Sequence, residues 1–535
     1  MIPPSEWINA DIVFLVTVRF AGHVWRFADR RIVVLDEDGQ PIKLRTCETP
    51  LDIDESIGRL SQQQRGARAA IRVVLPVDLV AYRRRGFRID GAHAEVAYVT
   101  ARQGVAVQPF AMREIIVDGP LREPQYGDPN LPTGTVTASV EGLNTTDTSN
   151  VLGDRTFSPF RFPATVSGTL GTADRVRRHD GKGLPVVFGS PGAADRAGSP
   201  AYPYEVGNNT LANPTRLVIA GHPVQRQSVT IRDNAGNTRR EVIEVVPDLQ
   251  GELFTSVDVL STSGLEHDSD QYWISWDPGF RTLPKVGREG GISRVGDLIF
   301  WALSRSTLPL DLTSWYAIVP ALSALRVNGY INEPISGFEY VSRTFGDILP
   351  VAVAGGSGGL RPVLLNAPEV GSVPLVQVSQ RFKQAGPWQV QGRPVDVANV
   401  VTVSYARDGQ QNKATARQVV GTFRNGDTST SRFSRELYGE RHREIELAWT
   451  DDATTAALVA KAVIERDGLL GESATYQADL SFGWIRSGDW IRINDARLDV
   501  EDLLVQVIAR RYLGAAWSFE VLRVDLPQRD AGRVG

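Results

Sequence analysis

The side chains that could support catalysis or metal binding are scattered along this 535-residue chain. The six histidines lie far apart, and no two of them have the i, i+3 or i, i+4 spacing of a helical metal pair. One local group, His267–Asp268–Ser269–Asp270, contains the residue types of a hydrolase or metal site. Its surroundings are rich in Ser, Gly and Asp, which is typical of a solvated loop. We therefore predict that this group is dispensable for any chemistry.

Other motifs also favour turns over sites. Asp36–Glu37–Asp38–Gly39 has carboxylates but lacks the later Glu of a calcium loop, so it is interpreted as a hairpin turn, and calcium binding there stays open. The glycine-rich segment at 188–192, FGSPG, is not followed by Lys-Ser/Thr or by a helical pattern. There is no G-x-S-x-G motif, and Cys47 is the only cysteine. The sequence predicts a protein that is not an enzyme, with no catalytic, cofactor-binding or metal residues.

Composition points to several domains that are mainly β. The chain is 42% hydrophobic, and Gly 50 and Pro 31 accompany many short alternating runs. The formal net charge of −4 predicts no strong attraction to nucleic acid or membrane. No run of 18 apolar residues occurs, and the first residues lack a basic signal-peptide region. We expect synthesis in the cytoplasm without a membrane span.

The stretch 445–525 contains the clearest elements. A strand, IELAWTDD, precedes a helix from Asp451 to Asp467 that should end at Gly468. The runs ATYQADLSF, DWIRIND, LLVQVIARRYL and WSFEVLRVDL follow as strands, and we expect the apolar face of the helix to pack on this C-terminal antiparallel sheet. That face has i, i+3, i+4 spacing and consists of Ala456, Val459, Ala460, Val463 and Ile464.

The remaining chain alternates between strand and helix patterns. Ile12 to Phe20 alternates strictly, and further strand patterns with one short helix, VDLVAYRRR, continue to Gly142. Residues 144–200 are rich in Thr, Ser, Gly, Asp and Pro, and further strands follow with a hairpin at Asp233–Gly236. From Val295 three segments have helical spacing, and the last begins with Ser336 and Glu339 in capping-box register.

This order of elements, with W-T-D-D-A before the helix and S-G-D-W-I-R-I-N-D before the long closing strand, resembles the C-terminal domain of the tail hub, or baseplate hub, proteins of long-tailed bacteriophages. The resemblance implies a multidomain, mainly β fold with two tail-tube-like β-barrel or sandwich domains, an irregular β insertion and a small α+β domain. The implied boundaries are 1–143 for the N-terminal barrel, 144–290 for the loop-rich β domain, 291–398 for the α+β domain and 399–535 for the C-terminal barrel with its helix and a mobile tail.

The resemblance also implies a function. A hub is a virion protein of the siphophage tail tip, assembled in the host bacterial cytoplasm, that caps the tail tube and opens for genome ejection. The implied assembly is a homotrimer, because three copies with two barrels each would face a six-fold tube. The implied partners are the distal tail ring or tail tube protein, the tape measure protein, tail fibres or receptor-binding proteins, and DNA in passage.

Two alternatives remain open from the residues: a tail-associated lytic or depolymerising enzyme, and a receptor-binding adhesin. Of the eleven tryptophans, Trp449, Trp484 and Trp490 fall in strand patterns where core or interface packing is the usual role. Trp273 and Trp276, in DQYWISWDPGF, share one strand face less well. We predict that these two side chains are exposed and contact a partner. The host, the receptor, the channel-lining residues and any binding role of 144–290 are not determined by the sequence.

Overall fold

Strands dominate the computed structural model, and helices are confined to a few short segments and one long one. This confirms the predicted class of a multidomain, mainly β protein with α+β parts. The structure describes residues 11–56, 58–59, 67–90, 92–107, 109–128, 130–142, 151–152, 181–192, 196–205, 215–247, 250–259, 265, 272–277, 291–305, 310–346, 348–355, 359–366, 373–495, 500–514 and 516–523.

The N-terminal β domain is built on the strand whose alternation is strict in the sequence. Ile12, Phe14 and Val16 face the main core, while Val13 and Leu15 face a smaller core on the other side of the sheet, so both faces are buried. The domain consists of β1 Asp11–Phe20, β2 His23–Ala28, β3 Arg45–Thr46, β4 Leu51–Ser56, β5 Gly58–Arg59, β6 Arg68–Val74, α1 Leu79–Arg84, β7 His93–Arg102, β8 Val105–Ala106, β9 Glu114–Tyr126 and β10 Thr135–Glu141.

The region predicted as a loop-rich β domain contains a closed barrel. Its hairpin at Asp233 is present, because the Asn237 N–H donates to the Asp233 carboxylate at 2.8 Å. The strands of this region are β11 Val151–Leu152, β12 Val186–Phe188, β13 Ser199–Glu205, β14 Thr215–Ala220, β15 Ser228–Arg232, β16 Thr238–Pro247, β17 Leu253–Val259 and β18 Tyr272–Trp276. The barrel order is β13, β14, β17, β16, β15, β18.

A helical unit shares one apolar core between two stretches of the chain. The predicted cap is observed, since the Ser336 hydroxyl accepts from the Glu339 N–H at 3.1 Å. The first stretch contains α2 Val295–Leu303, α3 Leu312–Ile318, β19 Gly329–Ile331, β20 Ile335–Ser336, α4 Gly337–Phe345, β21 Val351–Ala354 and β22 Arg361–Leu364. The second contains β26 Val400–Asp408, β27 Lys413–Val420, α5 Ser429–Tyr438, β28 His442–Leu447 and α6 Ala453–Asp467.

The C-terminal β domain completes the chain. Its strands are β23 Leu375–Gln377, β24 Phe382–Gln384, β25 Gln389–Val390, β29 Glu472–Ala478, β30 Trp490–Asp495, β31 Val500–Tyr512 and β32 Trp517–Arg523. They continue directly into the N-terminal sheet, in the order β24, β29, β32, β31, β4, β6, β10, β9, β7, β1, β2, β3. Strands from the two ends of the chain therefore form one sheet. No helix among the described segments is long and apolar enough to cross a bilayer.

Helix α6 packs on a different sheet from the one predicted. Its five apolar residues, Ala456, Val459, Ala460, Val463 and Ile464, are all buried. They lie against β26 and β27, whose Val401, Val403 and Val420 belong to the same core, and not against the later C-terminal strands. The physical reason is that the later strands turn their apolar face toward the N-terminal β domain, so that face is already covered.

Replacement of Val463 by Asp should place a carboxylate with no partner in the core of the helical unit. We expect a loss of unfolding free energy on the order of 3 kcal/mol or more, measured by urea denaturation. Lys461→Asp, on the exposed side of the same helix, is the control and should change stability little. Equal effects of the two variants would show that the helix face is wrongly assigned.

Candidate functional site at the junction of the terminal β domains

The two terminal β domains meet where β31 pairs with β4. The antiparallel register places Ala509 opposite Ser56, Arg510 opposite Glu55 and Arg511 opposite Asp54. Side chains from both domains also form a single apolar core. The junction is therefore a continuation of both sheet and core, and the two domains form one body.

A buried ion pair lies at this junction. The Arg510 Nε donates to Glu55 Oε2 at 2.5 Å, and each side chain is only 3% exposed. The Arg510 Nη1 also donates to the carbonyl oxygens of Gly483 and Ile485, each at 3.1 Å. These contacts satisfy a guanidinium that would otherwise be costly to bury. The pair thus requires that both domains be present.

A β-bulge in β31 turns Arg510 toward the core. The pairing with β32 shifts between Val507 and Ala509, so that Arg510 lies opposite Phe519 and Tyr512 opposite Trp517. Without the extra residue, strict alternation from Val507 would direct Ala509 inward instead. The bulge is what brings this charge to the junction.

Aromatic side chains close the junction from the N-terminal side. The Phe14 and Tyr512 rings meet edge to face with centroids 4.8 Å apart. The Tyr98 hydroxyl donates to the Gly483 carbonyl at 2.9 Å, and burial raises the pKa of that phenol. Any Cβ at Gly483 would lie 3.2 Å from the Trp517 indole nitrogen and 3.3 Å from an Ile12 methyl carbon. Glycine allows the backbone to approach this closely.

The R-S-G-D-W turn at 486–490, part of the motif that resembles tail hubs, lies at the same junction. Gly488 has φ +95°, which favours glycine. The Asp489 carboxylate accepts the Arg486 N–H at 2.8 Å and so closes the turn. The buried Ser487 hydroxyl donates to the Glu55 carbonyl at 2.8 Å. The turn therefore binds the backbone of the N-terminal domain.

The same turn also contacts the helical unit. Arg361, which precedes Pro362 in β22, donates to the Ser487 carbonyl, and its guanidinium is 3.6 Å from the Asp489 carboxylate. The Trp490 indole N–H donates to the Leu364 carbonyl at 3.2 Å. Burial raises the pKa of Asp489, and Arg361 and the Arg486 N–H only partly offset this. Three parts of the fold thus meet at one turn.

A second junction connects the closed barrel to the helical unit through polar groups. The Asn328 side chain accepts the Ser190 N–H at 2.8 Å and donates to the Asp451 carboxylate. The Arg196 guanidinium is 3.8 Å from that carboxylate, beside a cavity of about 30 Å³. Burial raises the pKa of Asp451, and Asn328 and Arg196 partly oppose it. This junction is held by hydrogen bonds across a small polar cavity.

The predicted contact surface at Trp273 and Trp276 is not exposed. The two side chains are 8% and 1% exposed, and all five residues of β18 are buried. Trp276 points into the barrel and donates from its indole nitrogen to the Ser199 hydroxyl at 2.8 Å. Trp273 packs against the backbone at Gly409. The strand is covered on both sides, which the sequence pattern did not reveal, and the prediction of exposure was wrong.

The other candidate residues occupy ordinary positions or lie beyond the described chain. The group His267, Asp268 and Asp270 falls outside the described residues. The Asp36 turn is an exposed hairpin in which the Asp36 carboxylate accepts from the N–H groups of Asp38 and Gln40. Among the residues that the structure describes, no three His, Cys, Asp or Glu side chains converge as a metal site would require.

The residues that join the domains were missed by the sequence reasoning. Glu55 stands two positions after Ile53, on the buried side of β4, and Arg510 stands two positions before the buried Tyr512. A charged residue at a core position is the signal that could have identified both. Their pairing across most of the chain length gave no local pattern.

Comparisons with known proteins give likeness to structures alone. No family model and no curated protein matches the chain. A tail protein from Neisseria meningitidis MC58 is 10% identical, with 96% of this chain and 97% of that one covered, at a TM-score of 0.38. A 43 kDa tail protein of prophage MuSo2 from Shewanella oneidensis is 10% identical, with 96% of this chain and 100% of that one covered, at a TM-score of 0.36.

A third similar structure is the virion of a native gene transfer agent particle. The identity is 11%, 70% of this chain and 89% of that one are covered, and the TM-score is 0.32. The structures to which this chain is similar are thus tail proteins and a virion component. All three TM-scores are below 0.5.

Arg510→Met should leave Glu55 buried without its partner and cost about 3–5 kcal/mol in unfolding free energy. The adjacent cross-strand pair, Arg511 and Asp54, is a matched control because it is exposed, at 3.5 Å with side chains 63% and 46% exposed. Arg511→Met should cost at most about 1 kcal/mol. Urea denaturation would measure both, and similar losses for the two variants would contradict a special role for the buried pair.

Asp489→Asn should change how stability depends on pH. The folded pKa of Asp489 is raised above 3.8, so the stability this group contributes is present at low pH and lost as the pH rises through the folded pKa. The urea midpoint of the wild type should therefore fall relative to that of the Asn variant over this range.

Asp479 provides a control of opposite sign. Burial opposes its ionisation, but hydrogen bonds from Arg381 and Ser481 outweigh burial and lower the pKa. The stability that the Asp479 carboxylate contributes is lost as the pH falls. The urea midpoint of the wild type should therefore rise relative to that of Asp479→Asn as the pH rises. If the urea midpoint of the wild type changed in the same direction with pH relative to both Asp489→Asn and Asp479→Asn, the opposite pKa shifts assigned to these two residues would be wrong.

Proposed function

We propose that this chain is a non-enzymatic structural component of a phage tail, and more specifically the hub of the tail tip or baseplate. The observation that supports this most is the continuous sheet through β31 and β4, by which the two ends of the chain present two β domains side by side. The R-S-G-D-W turn, on which the family resemblance depends, lies at that junction and contacts both neighbours.

Two β domains in one body suit a ring around a tube. Three copies would supply six β domains, which matches a six-fold tail tube, and a cyclic homotrimer is the simplest closed assembly with that property. The domains must keep a fixed relative position for this to work. The buried Arg510–Glu55 pair and the shared core provide that rigidity.

The proposed mechanism is mechanical. The hub closes the tube end, connects it to the tail fibres or receptor-binding proteins, and opens so that the tape measure protein and DNA leave. Movement should take place at the polar junction of Asn328, Asp451 and Arg196, where hydrogen bonds can exchange partners beside a small cavity. The apolar junction of the terminal β domains should stay intact during opening.

The position in the particle tests the proposal. An antibody against this chain, labelled with gold, should mark purified particles at the tail end distal to the head, adjoining the distal tail ring or tube protein. Label along the tube or on the fibres would contradict a hub role. Label on the fibres would instead favour the adhesin alternative.

Enzymatic activity is tested separately. A zymogram with host cell wall or capsule should show no clearing by the purified chain. Clearing that is lost in the triple variant His267→Ala, Asp268→Ala, Asp270→Ala would overturn the non-enzymatic proposal. Clearing that persists in that variant would place the activity elsewhere and would also overturn it.

A further inference from the structure

Three consecutive arginines stand at the end of helix α1 of the N-terminal β domain. Arg83, Arg84 and Arg85 are all exposed. None of the three guanidiniums forms a salt bridge with a residue that the structure describes. The helix dipole favours positive charge at this end, but adjacent like charges repel one another. Contacts within the chain therefore do not explain why three of them are placed together.

The acidic residues on either side of this run are already engaged. Asp78 lies at the opposite end of α1, where its carboxylate accepts the N–H groups of Val80 and Ala81 at 2.9 and 3.1 Å. The Asp90 carboxylate accepts two hydrogen bonds from Arg88, at 3.0 and 2.6 Å. Neither carboxylate forms an ion pair with the three arginines. This end of the helix keeps a positive charge that a partner can neutralise.

The end of the helix places an exposed aromatic ring beside the arginines. The Gly86 N–H donates to the Arg83 carbonyl at 2.9 Å, and the Phe87 N–H donates to the Tyr82 carbonyl at 3.1 Å. These bonds end α1 in the manner of a Schellman motif, in which the residue after the turn packs against the last helical turn. The Phe87 and Tyr82 ring centroids are accordingly 5.7 Å apart. Phe87 nevertheless stays 46% exposed.

An exposed aliphatic side chain lies on the other flank of the arginines. Val80 is 42% exposed and stands three and four positions before Arg83 and Arg84, so it shares a helix face with them. Arg85 stands three positions after Tyr82, on the flank where Phe87 packs. Apolar groups thus border the positive charge on both sides. We name Val80, Arg83, Arg84, Arg85 and Phe87 the basic surface.

The mixture of groups on the basic surface selects among anionic partners. A nucleic acid duplex presents phosphates but no apolar layer, so contact with it would leave Val80 and Phe87 without a partner. An unpaired base needs a free aromatic face, whereas Tyr82 already contacts the rings of Phe20 and Phe87, at 5.9 and 5.7 Å. An anionic lipid layer offers phosphates and, directly beneath them, apolar chains. Such a layer matches both kinds of side chain.

We propose that the basic surface binds the headgroup region of an anionic lipid layer. The guanidiniums of Arg83, Arg84 and Arg85 pair with lipid phosphates, which are mobile and can adjust to three side chains that fan out around the helix end. Val80 and Phe87 enter the boundary between headgroups and acyl chains. The contact is peripheral and involves only the end of α1 and the turn that follows it.

The overall charge of the chain does not prevent this contact. The formal net charge is −4, but electrostatic interactions between exposed groups are screened beyond about 8 Å at physiological salt. The charge next to the lipid therefore decides the attraction. The inference goes beyond the proposed hub role and does not depend on it, because lipid binding by the full chain and the position of the chain in the particle are measured separately.

Vesicle flotation with the full chain tests the role of the arginines. The wild type should float with vesicles of phosphatidylglycerol and phosphatidylcholine and not with vesicles of phosphatidylcholine alone. Replacement of Arg83, Arg84 and Arg85 together by Gln should weaken binding about tenfold or more, because three phosphate contacts are lost. A wild-type chain that floats with neither kind of vesicle, or equally with both, would overturn the inference.

A second triple variant controls for net charge. Arg226, Arg326 and Arg424 are also exposed, form no salt bridge with a described residue, and lie outside the N-terminal β domain. Their replacement by Gln removes the same charge and should leave vesicle binding unchanged. Both triple variants should keep the urea midpoint of the wild type. Equal loss of binding in the two would show a general charge effect and contradict the assignment to α1.

The apolar part is tested with two phenylalanines of similar exposure. Phe87→Ser should weaken vesicle binding several-fold, whereas Phe433→Ser, at a residue that is 43% exposed on another helix, should not. Phe87→Leu keeps an apolar group at the helix end and should retain binding, which separates the lipid contact from a change in stability. Equal binding by the wild type and Phe87→Ser would contradict insertion of this side chain.

A fluorescent probe distinguishes lipid from the other anionic partners. In a Cys47→Ser background, an environment-sensitive dye on Phe87→Cys should shift its emission to the blue with anionic vesicles, and the same dye on Phe433→Cys should not. Inorganic phosphate and a short DNA duplex should cause no such shift. Duplex binding that requires the three arginines, in the absence of vesicle binding, would identify a nucleic-acid site and overturn the inference.

Discussion

The ion pair between Arg510 and Glu55 is the contact on which the relation of the two terminal β domains depends. A guanidinium and a carboxylate with 3% exposure each are stable only while they face one another and their remaining hydrogen-bonding groups are satisfied. The Gly483 and Ile485 carbonyls supply those partners. The pair therefore specifies a single alignment of β31 on β4, which apolar packing alone would leave less well defined.

The helical unit and the closed barrel are attached to this junction through further contacts. The R-S-G-D-W turn fastens the helical unit to the ion-paired junction through Arg361 and Leu364. The closed barrel contacts the helical unit at the polar cavity beside Asp451, and Trp273 of the barrel packs against the backbone at Gly409. In the proposed hub, the pair of terminal β domains would be the part that holds the ring.

Local patterns of the sequence were sufficient for much of the fold. Alternation in Ile12–Phe20, the Ser336 cap and the apolar face of α6 each follow from neighbouring residues. The inward position of Arg510 was beyond such reasoning, because the bulge after Val507 changes the alternation. The packing partner of α6 and the burial of Trp273 depend on contacts between distant segments, which no local pattern encodes. The pairing of Glu55 with Arg510 was missed for the same reason, because these two residues lie far apart in the sequence.

The central claim is that one chain supplies two side-by-side β domains to a closed ring, and the most direct measurement is the symmetry of that ring in intact particles. A reconstruction of the tail tip should contain three copies of this chain, with N-terminal and C-terminal β domains alternating around the tube and β31 paired with β4 within each copy. Six copies, or terminal β domains that are separated within a copy, would contradict the account.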